Sequence, residues 1–81
     1  MTKHWKEEDD KLKATFKFDD FIQAWGFMSS VAMTAEKQNH HPTWTNTYNE
    51  VNIELSTHDA GNIVTDKDHK LAQSISDIYD A

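Results

Sequence analysis

Two short stretches hold most of the side chains able to do chemistry. Residues 35–44, AEKQNHHPTW, place Glu36, Asn39, His40 and His41 just ahead of Pro42, and residues 56–61, STHDAG, supply Ser56, Thr57, His58 and Asp59. An unperturbed imidazole titrates near neutrality, so three of them brought together could donate and accept protons. Two other readings stand beside that one. Adjacent histidines in a turn are often solvated polar residues only. Three imidazoles can also ligate zinc, but His40 and His41 lack the i, i+4 spacing that aims two rings from one helix at one ion. No metal site is therefore expected. His4 and His69 have no supporting neighbours in sequence and read as surface residues. A Gly-rich phosphate loop and a serine nucleophile elbow are both missing, which leaves nucleotide-dependent and hydrolase readings without a motif.

The elements that must position these groups follow from periodicity. Over residues 11–18, Leu12, Ala14, Phe16 and Phe18 alternate with Lys11, Lys13, Thr15 and Lys17, the pattern of a half-buried strand. The acidic run 7–10 reads as a turn, making residues 3–6, with Trp5, a short partner strand. Asp20 and Gln23 resemble a capping box. After them Phe21, Ala24, Trp25, Met28, Val31, Ala32 and Ala35 recur at helical spacing. That helix should end near Asn39, because Pro42 pushes the residue before it out of the helical region. A second strand pair spans 44–48 and 51–57 with its turn at Asn49 and Glu50. Beyond a loop holding Gly61, Thr65 and Asp68 mark a second helix start, with Leu71, Ala72, Ile75, Ile78 and Tyr79 as its stripe.

The order strand, strand, helix, strand, strand, helix predicts a two-layer α+β domain, a four-stranded antiparallel sheet with two helices packed on one face. In such a hairpin, residues just before Trp44 and just after Leu55 share one sheet edge, so the two histidine clusters can meet. Trp5, Trp25 and Trp44 read as packing residues, with Trp44 bordering the site.

Composition narrows the classes. At 81 residues, one domain spanning 1–81 is expected. A chain this short buries only roughly 60–65% of its unfolded surface, which favours self-association. A net charge of −6, with eight Lys, no Arg and fourteen acidic residues, argues against direct nucleic-acid binding. No apolar run is long enough for a membrane span, and residues 1–10 lack a signal-peptide core, so a cytoplasmic location is expected. The absence of cysteine removes disulfides, thiolate nucleophiles and Cys-ligated zinc.

Residues 16–72 resemble the pterin-4a-carbinolamine dehydratases, also described as dimerisation cofactors of a homeodomain transcription factor. The resemblance rests on Glu36, three residues, His40-His41-Pro42, one residue, Trp44, and on the later Ser56-Thr57-His58. It implies dehydration of a 4a-hydroxytetrahydropterin to quinonoid dihydropterin, in tetrahydropterin recycling, by His40, His41 and His58, with no cofactor. His40 and His58 form the expected proton-transfer pair, and His41 is orienting or secondary. Glu36, Asn39, Pro42, Trp44, Ser56, Thr57 and Asp59 are the implied substrate-binding residues. Asp68 falls where the family is commonly acidic. Two features depart from the pattern: the family's usual N-terminal helix is expected to be absent because Trp5 arrives almost at once, and Asn39 stands where Asp is frequent. The implied partners are a pterin substrate and further copies of the chain, in a homodimer or homotetramer. The alternative reading is a protein-interaction module of the same fold, acting as a dimerisation cofactor or coactivator.

Overall fold

The computed structural model describes residues 3–81. Its elements run β1 (Lys6–Glu8), β2 (Lys11–Lys17), α1 (Phe21–Gln38), β3 (Thr43–Thr47), β4 (Glu50–Leu55) and α2 (Asp66–Asp80), with one turn of 3₁₀ helix at His58–Ala60. The four strands form one antiparallel sheet in the order β1-β2-β4-β3. Its centre is the pairing of β2 with β4, where Leu12 faces Leu55, Ala14 faces Ile53 and Phe16 faces Val51. All six are buried, so the period of two in both strands delivers one continuous apolar face to the helices. The predicted two-layer α+β architecture is the observed one.

Several boundaries move. The first strand is Lys6–Glu8 rather than residues 3–6, and the reversal falls at Asp9 and Asp10, both in the left-handed region with φ of 55° and 60°. Short acidic side chains tolerate that backbone better than the longer Glu8 and Lys11 that flank them. β2 stops at Lys17, one residue early. The hairpin turn sits at Tyr48 and Asn49, so β3 begins and ends one residue earlier than its periodicity suggests, and β4 covers Glu50–Leu55. Asn49 fastens that turn to the strand it follows in space, its Nδ2 donating to the Phe18 carbonyl at 2.9 Å.

The larger correction concerns the face of α1. The helix starts as expected, with Asp20 Oδ1 accepting the Gln23 N–H at 2.9 Å, although the Gln23 side chain accepts from Asp19 rather than closing the box on Asp20. The buried stripe is Ala24, Phe27, Val31 and Ala35. Phe27, left out of the predicted face, enters the core, whereas Phe21, Trp25 and Ala32 turn outward, Trp25 with 55% of its surface exposed. Apolar residues occupy more than half of the helix circumference, and spacing alone does not choose which part of so wide a stripe meets the sheet.

What chooses it is the aromatic cluster around the fully buried Phe16, whose ring meets those of Trp5, Phe27 and Tyr79 with centroids 4.8–5.8 Å apart. Trp5 lies ahead of β1, not in a strand, and its Nε1 donates to the Ala72 carbonyl at 3.1 Å and to Ser76 Oγ at 2.9 Å. His4, read from sequence as a surface residue, is half-buried. Its ring packs against Phe16 and Tyr79, and Nε2 meets both oxygens of Asp80 at 2.9 and 3.1 Å.

The rotated face makes a stability prediction. Phe27→Ala should cost about 3–5 kcal/mol, while Ile22→Ala, at a position 75% exposed, should stay within about 0.5 kcal/mol. Urea unfolding followed by tryptophan fluorescence measures both, and equal losses would contradict the assignment.

Candidate functional site

The site is made by two chain reversals that end at the same corner of the fold. α1 closes on Asn39 in the left-handed conformation, φ 51° and ψ 43°, a geometry asparagine tolerates. The His40 N–H then bonds back to the Ala35 carbonyl at 3.1 Å, and Pro42 aims the chain into β3. This sharp exit puts His40 and His41 beside the end of β4. There the chain leaves through Ser56 and Thr57 into the 3₁₀ turn that begins at His58.

Thr57 and Ile63 bridge the base of the following loop, with Thr57 N–H to the Ile63 carbonyl at 2.8 Å. Inside it, Gly61 (φ 92°) and Asn62 (φ 62°) are both left-handed. The glycine supplies the conformation without strain at the cap of the 3₁₀ turn.

The result is a pocket of about 280 Å³ lined by Asn39, His40, His41, Ser56, Thr57, His58, Asp59 and Lys67. Its size falls just below the roughly 300–1,000 Å³ usual for ligand sites. The structure thus brings the three predicted histidines together, with four of the seven predicted substrate-binding residues.

Three predicted lining residues stand outside it. Glu36 is exposed and reaches the site only through His41, whose Nε2 donates to its Oε1 at 2.9 Å. Pro42 is half-buried at the entry to β3 and does not line the pocket. Trp44 points to the helix side of the sheet, because alternation along β3 sends it there, and it walls a separate apolar groove with Trp25, Met28, Ser29 and Ala32.

The side chain that organises the pocket is Asp68, which is completely buried. His40 Nε2 donates to its Oδ1, while Thr57 Oγ1 donates to its Oδ2 at 2.7 Å and the Thr65 N–H to the same oxygen at 2.9 Å. With the Thr57 hydroxyl proton committed there, the Thr65 hydroxyl must donate to Thr57 Oγ1, 2.6 Å away. Asp68 is also the third residue of α2 and completes a capping box with Thr65. One carboxylate therefore starts the helix, pins the strand exit and orients a histidine. Burial works to raise its carboxyl pKa, but the bonds from His40, Thr57 and Thr65 outweigh burial and hold it below the ordinary 3.8.

Lys67, a residue that the sequence did not single out, lines the pocket from the first turn of α2. The capping pair at Thr65 and Asp68, already legible as a helix start, is the signal that places Lys67 in that first turn. Among the described residues no group of three His, Asp or Glu side chains is arranged to hold a metal ion. His40, His41 and His58 instead turn to Asp68, Glu36 and Asn62 respectively.

Because the folded value of Asp68 lies below the unfolded one, its contribution to stability is present above pH 3.8 and is lost as pH falls through the lower folded value. Asp68→Asn should therefore cost about 2 kcal/mol at pH 7, and the gap to the unmodified protein should narrow on acidification below that range. Parallel stability curves from denaturant titrations at several pH values would refute the charged role of Asp68.

Comparison with known proteins agrees with the fold. The family described as pterin 4 alpha carbinolamine dehydratase matches residues 1–78. A candidate pterin-4-alpha-carbinolamine dehydratase of Prochlorococcus marinus is 53% identical over 74 residues, 91% of this chain and 76% of its own length. Another candidate of that activity, from Solibacter usitatus, is 51% identical over 71 residues, covering 88% and 74%. The crystal structure of a transcriptional coactivator/pterin dehydratase from Brucella melitensis superposes with a TM-score of 0.88 at 43% identity, covering 93% of this chain and 81% of that one. A pterin dehydratase-like RuBisCO assembly factor of the alpha-carboxysome shares the fold, with a TM-score of 0.80 at 21% identity. The chain belongs to the pterin-4a-carbinolamine dehydratase family.

Proposed function

We propose that this protein dehydrates a 4a-hydroxytetrahydropterin to the quinonoid dihydropterin by histidine acid–base catalysis in the cytoplasm, returning the product to tetrahydropterin recycling. The observation that carries this reading is the convergence of His40, His41 and His58 on one pocket.

Dehydration requires loss of the C4a hydroxyl as water and of the proton on N5, so one group must give a proton while another takes one. Imidazoles suit both tasks near neutral pH, and each general acid or base term is worth about 10²–10⁴-fold. His40, backed by the buried Asp68 carboxylate, has a negative partner for its imidazolium form and is suited to the acid role. His58 meets only a neutral amide. His41, bonded to the exposed Glu36, stands as the secondary, orienting ring. Asn39, Ser56, Thr57 and Asp59 offer the polar edge on which a pterin ring would be held, and no cofactor takes part in the step.

We propose in addition that the protein works as a homo-oligomer. The outward face of α1 carries Phe21, Ile22, Trp25 and Met33 exposed, with Phe21 and Trp25 stacked at 6.2 Å beside the Trp44 groove. So much apolar surface on one helix of a small domain marks an interaction site, and a two-fold copy can meet it with the same residues. Light scattering should report a dimer or larger species that Trp25→Glu reduces to monomer. A monomer for the unmodified protein at every concentration would reject this.

Activity is tested by the ultraviolet change as carbinolamine becomes quinonoid product. Folded His40→Ala and His58→Ala variants should each lose about 10- to 10⁴-fold in turnover, and the double variant less than the product of the two. His69→Ala, at an exposed position on α2, should change little. Full rates in both single variants would sink the assignment, and no rate in the unmodified protein would favour the interaction-module reading.

A further inference from the structure

We propose that Asn62 is a positioning residue that sets the tautomer of His58 and so makes His58 the base of the reaction, an inference that rests on the dehydratase reading above. Of the three imidazoles in the pocket, two are bonded to carboxylates and one is not. His58 Nδ1 lies 3.1 Å from Asn62 Oδ1. A carbonyl oxygen only accepts, so the neutral ring must carry its proton on Nδ1, and the lone pair remains on Nε2. Free imidazole side chains in water prefer the opposite arrangement. The amide therefore reverses the default tautomer, and Nε2 has no protein partner among the described residues.

The backbone holds these two exposed residues close to each other. His58 and Asn62 sit at either end of a loop whose interior bonds run from the Gly61 N–H to the His58 carbonyl and from the Asn62 N–H to the Thr57 carbonyl, both 3.0 Å. Asn62 has φ 62°, a conformation that asparagine and glycine adopt more readily than other residues. Its side chain thus starts from a fixed point relative to the imidazole it meets.

The charged and titratable groups that share the pocket with His58 are His40 and His41 from the α1–β3 turn, its neighbour Asp59, and Lys67 from α2. Asp68 is spent on His40 behind the pocket wall. A neutral amide therefore orients His58 without supplying the negative charge that would hold it as imidazolium, which is what a base needs. In the step, Nε2 of His58 takes the N5 proton and the N5 electrons form the C4a=N5 double bond. The C4a–O bond breaks toward oxygen, which takes a proton from the His40 imidazolium and leaves as water.

Two substitutions separate this role from a structural one. Asn62→Gly removes the amide while suiting the positive φ, and Asn62→Asp retains an oxygen acceptor. Long-range ¹⁵N–¹H spectra of the full chain without substrate should show the Nδ1–H tautomer of His58 in the unmodified protein and in Asn62→Asp, shifting toward Nε2–H in Asn62→Gly.

With a 4a-hydroxytetrahydropterin, kcat/KM should fall about 3- to 10-fold in Asn62→Gly, the worth of one modest hydrogen bond. Asn62→Asp should recover the rate only at higher pH, because a carboxylate stabilises the imidazolium and the acidic limb moves upward. An Nε2–H tautomer in the unmodified protein, or a pH–rate profile of Asn62→Gly that superimposes on the unmodified one, overturns the proposal. The expected tautomers in a protein that dehydrates no pterin would instead overturn the dehydratase reading, and with it the base assignment.

Discussion

A single buried carboxylate joins the parts of this molecule that matter for chemistry. Asp68 would be costly to bury alone, since an isolated charge away from water loses several kcal/mol of hydration. It is stable in place because three donors from three segments converge on it: His40 after α1, Thr57 after β4 and the Thr65 N–H at the start of α2. Each of those segments is held in turn by the contact it makes. The helix start, the strand exit and the histidine turn are therefore parts of one hydrogen-bonded unit, and the pocket has a rigid back wall although its mouth is made of loops.

On that wall the three imidazoles are chemically unlike. His40 is backed by a buried carboxylate, His41 by a solvated one and His58 by an amide. Identical side chains thus acquire different hydrogen-bond partners. Such inequality would suit the proposed dehydration, which needs an acid and a base at once. Only His40 is held from behind by a buried partner, whereas His41 and His58 bond to exposed side chains.

The opposite end of the domain follows a different logic. Phe16, Trp5, Phe27 and Tyr79 interlock as a ring cluster, and Trp5 reaches across to two acceptors on α2. This anchoring turns α1 so that Phe27 faces inward and Trp25 outward. A broad apolar face is left uncovered on the helix that also ends in the histidine turn. Core packing, rather than the helix itself, thus decides which residues are free for association.

Much of this was legible in the residues alone. Alternation in β2 and β4 fixed which side chains face the core, Asp20 and Thr65 marked both helix starts, and His-His-Pro placed a polar turn where a helix had to stop. These are local effects, carried by side-chain period, capping and the proline ring, and they survive whatever the rest of the chain does. Three things depended on how the elements and loops pack. Which stripe of α1 is buried was decided by rings from β2, α2 and the segment before β1. Trp44 left the site because strand alternation turned it to the helix side of the sheet, where it packs beside Trp25 and Met28 of α1. Asp68 and Asn62 became partners of His40 and His58 only when tertiary structure closed gaps of 28 and 4 residues. No spacing rule states that pairing, because its geometry belongs to the packed loops and not to either partner's own element.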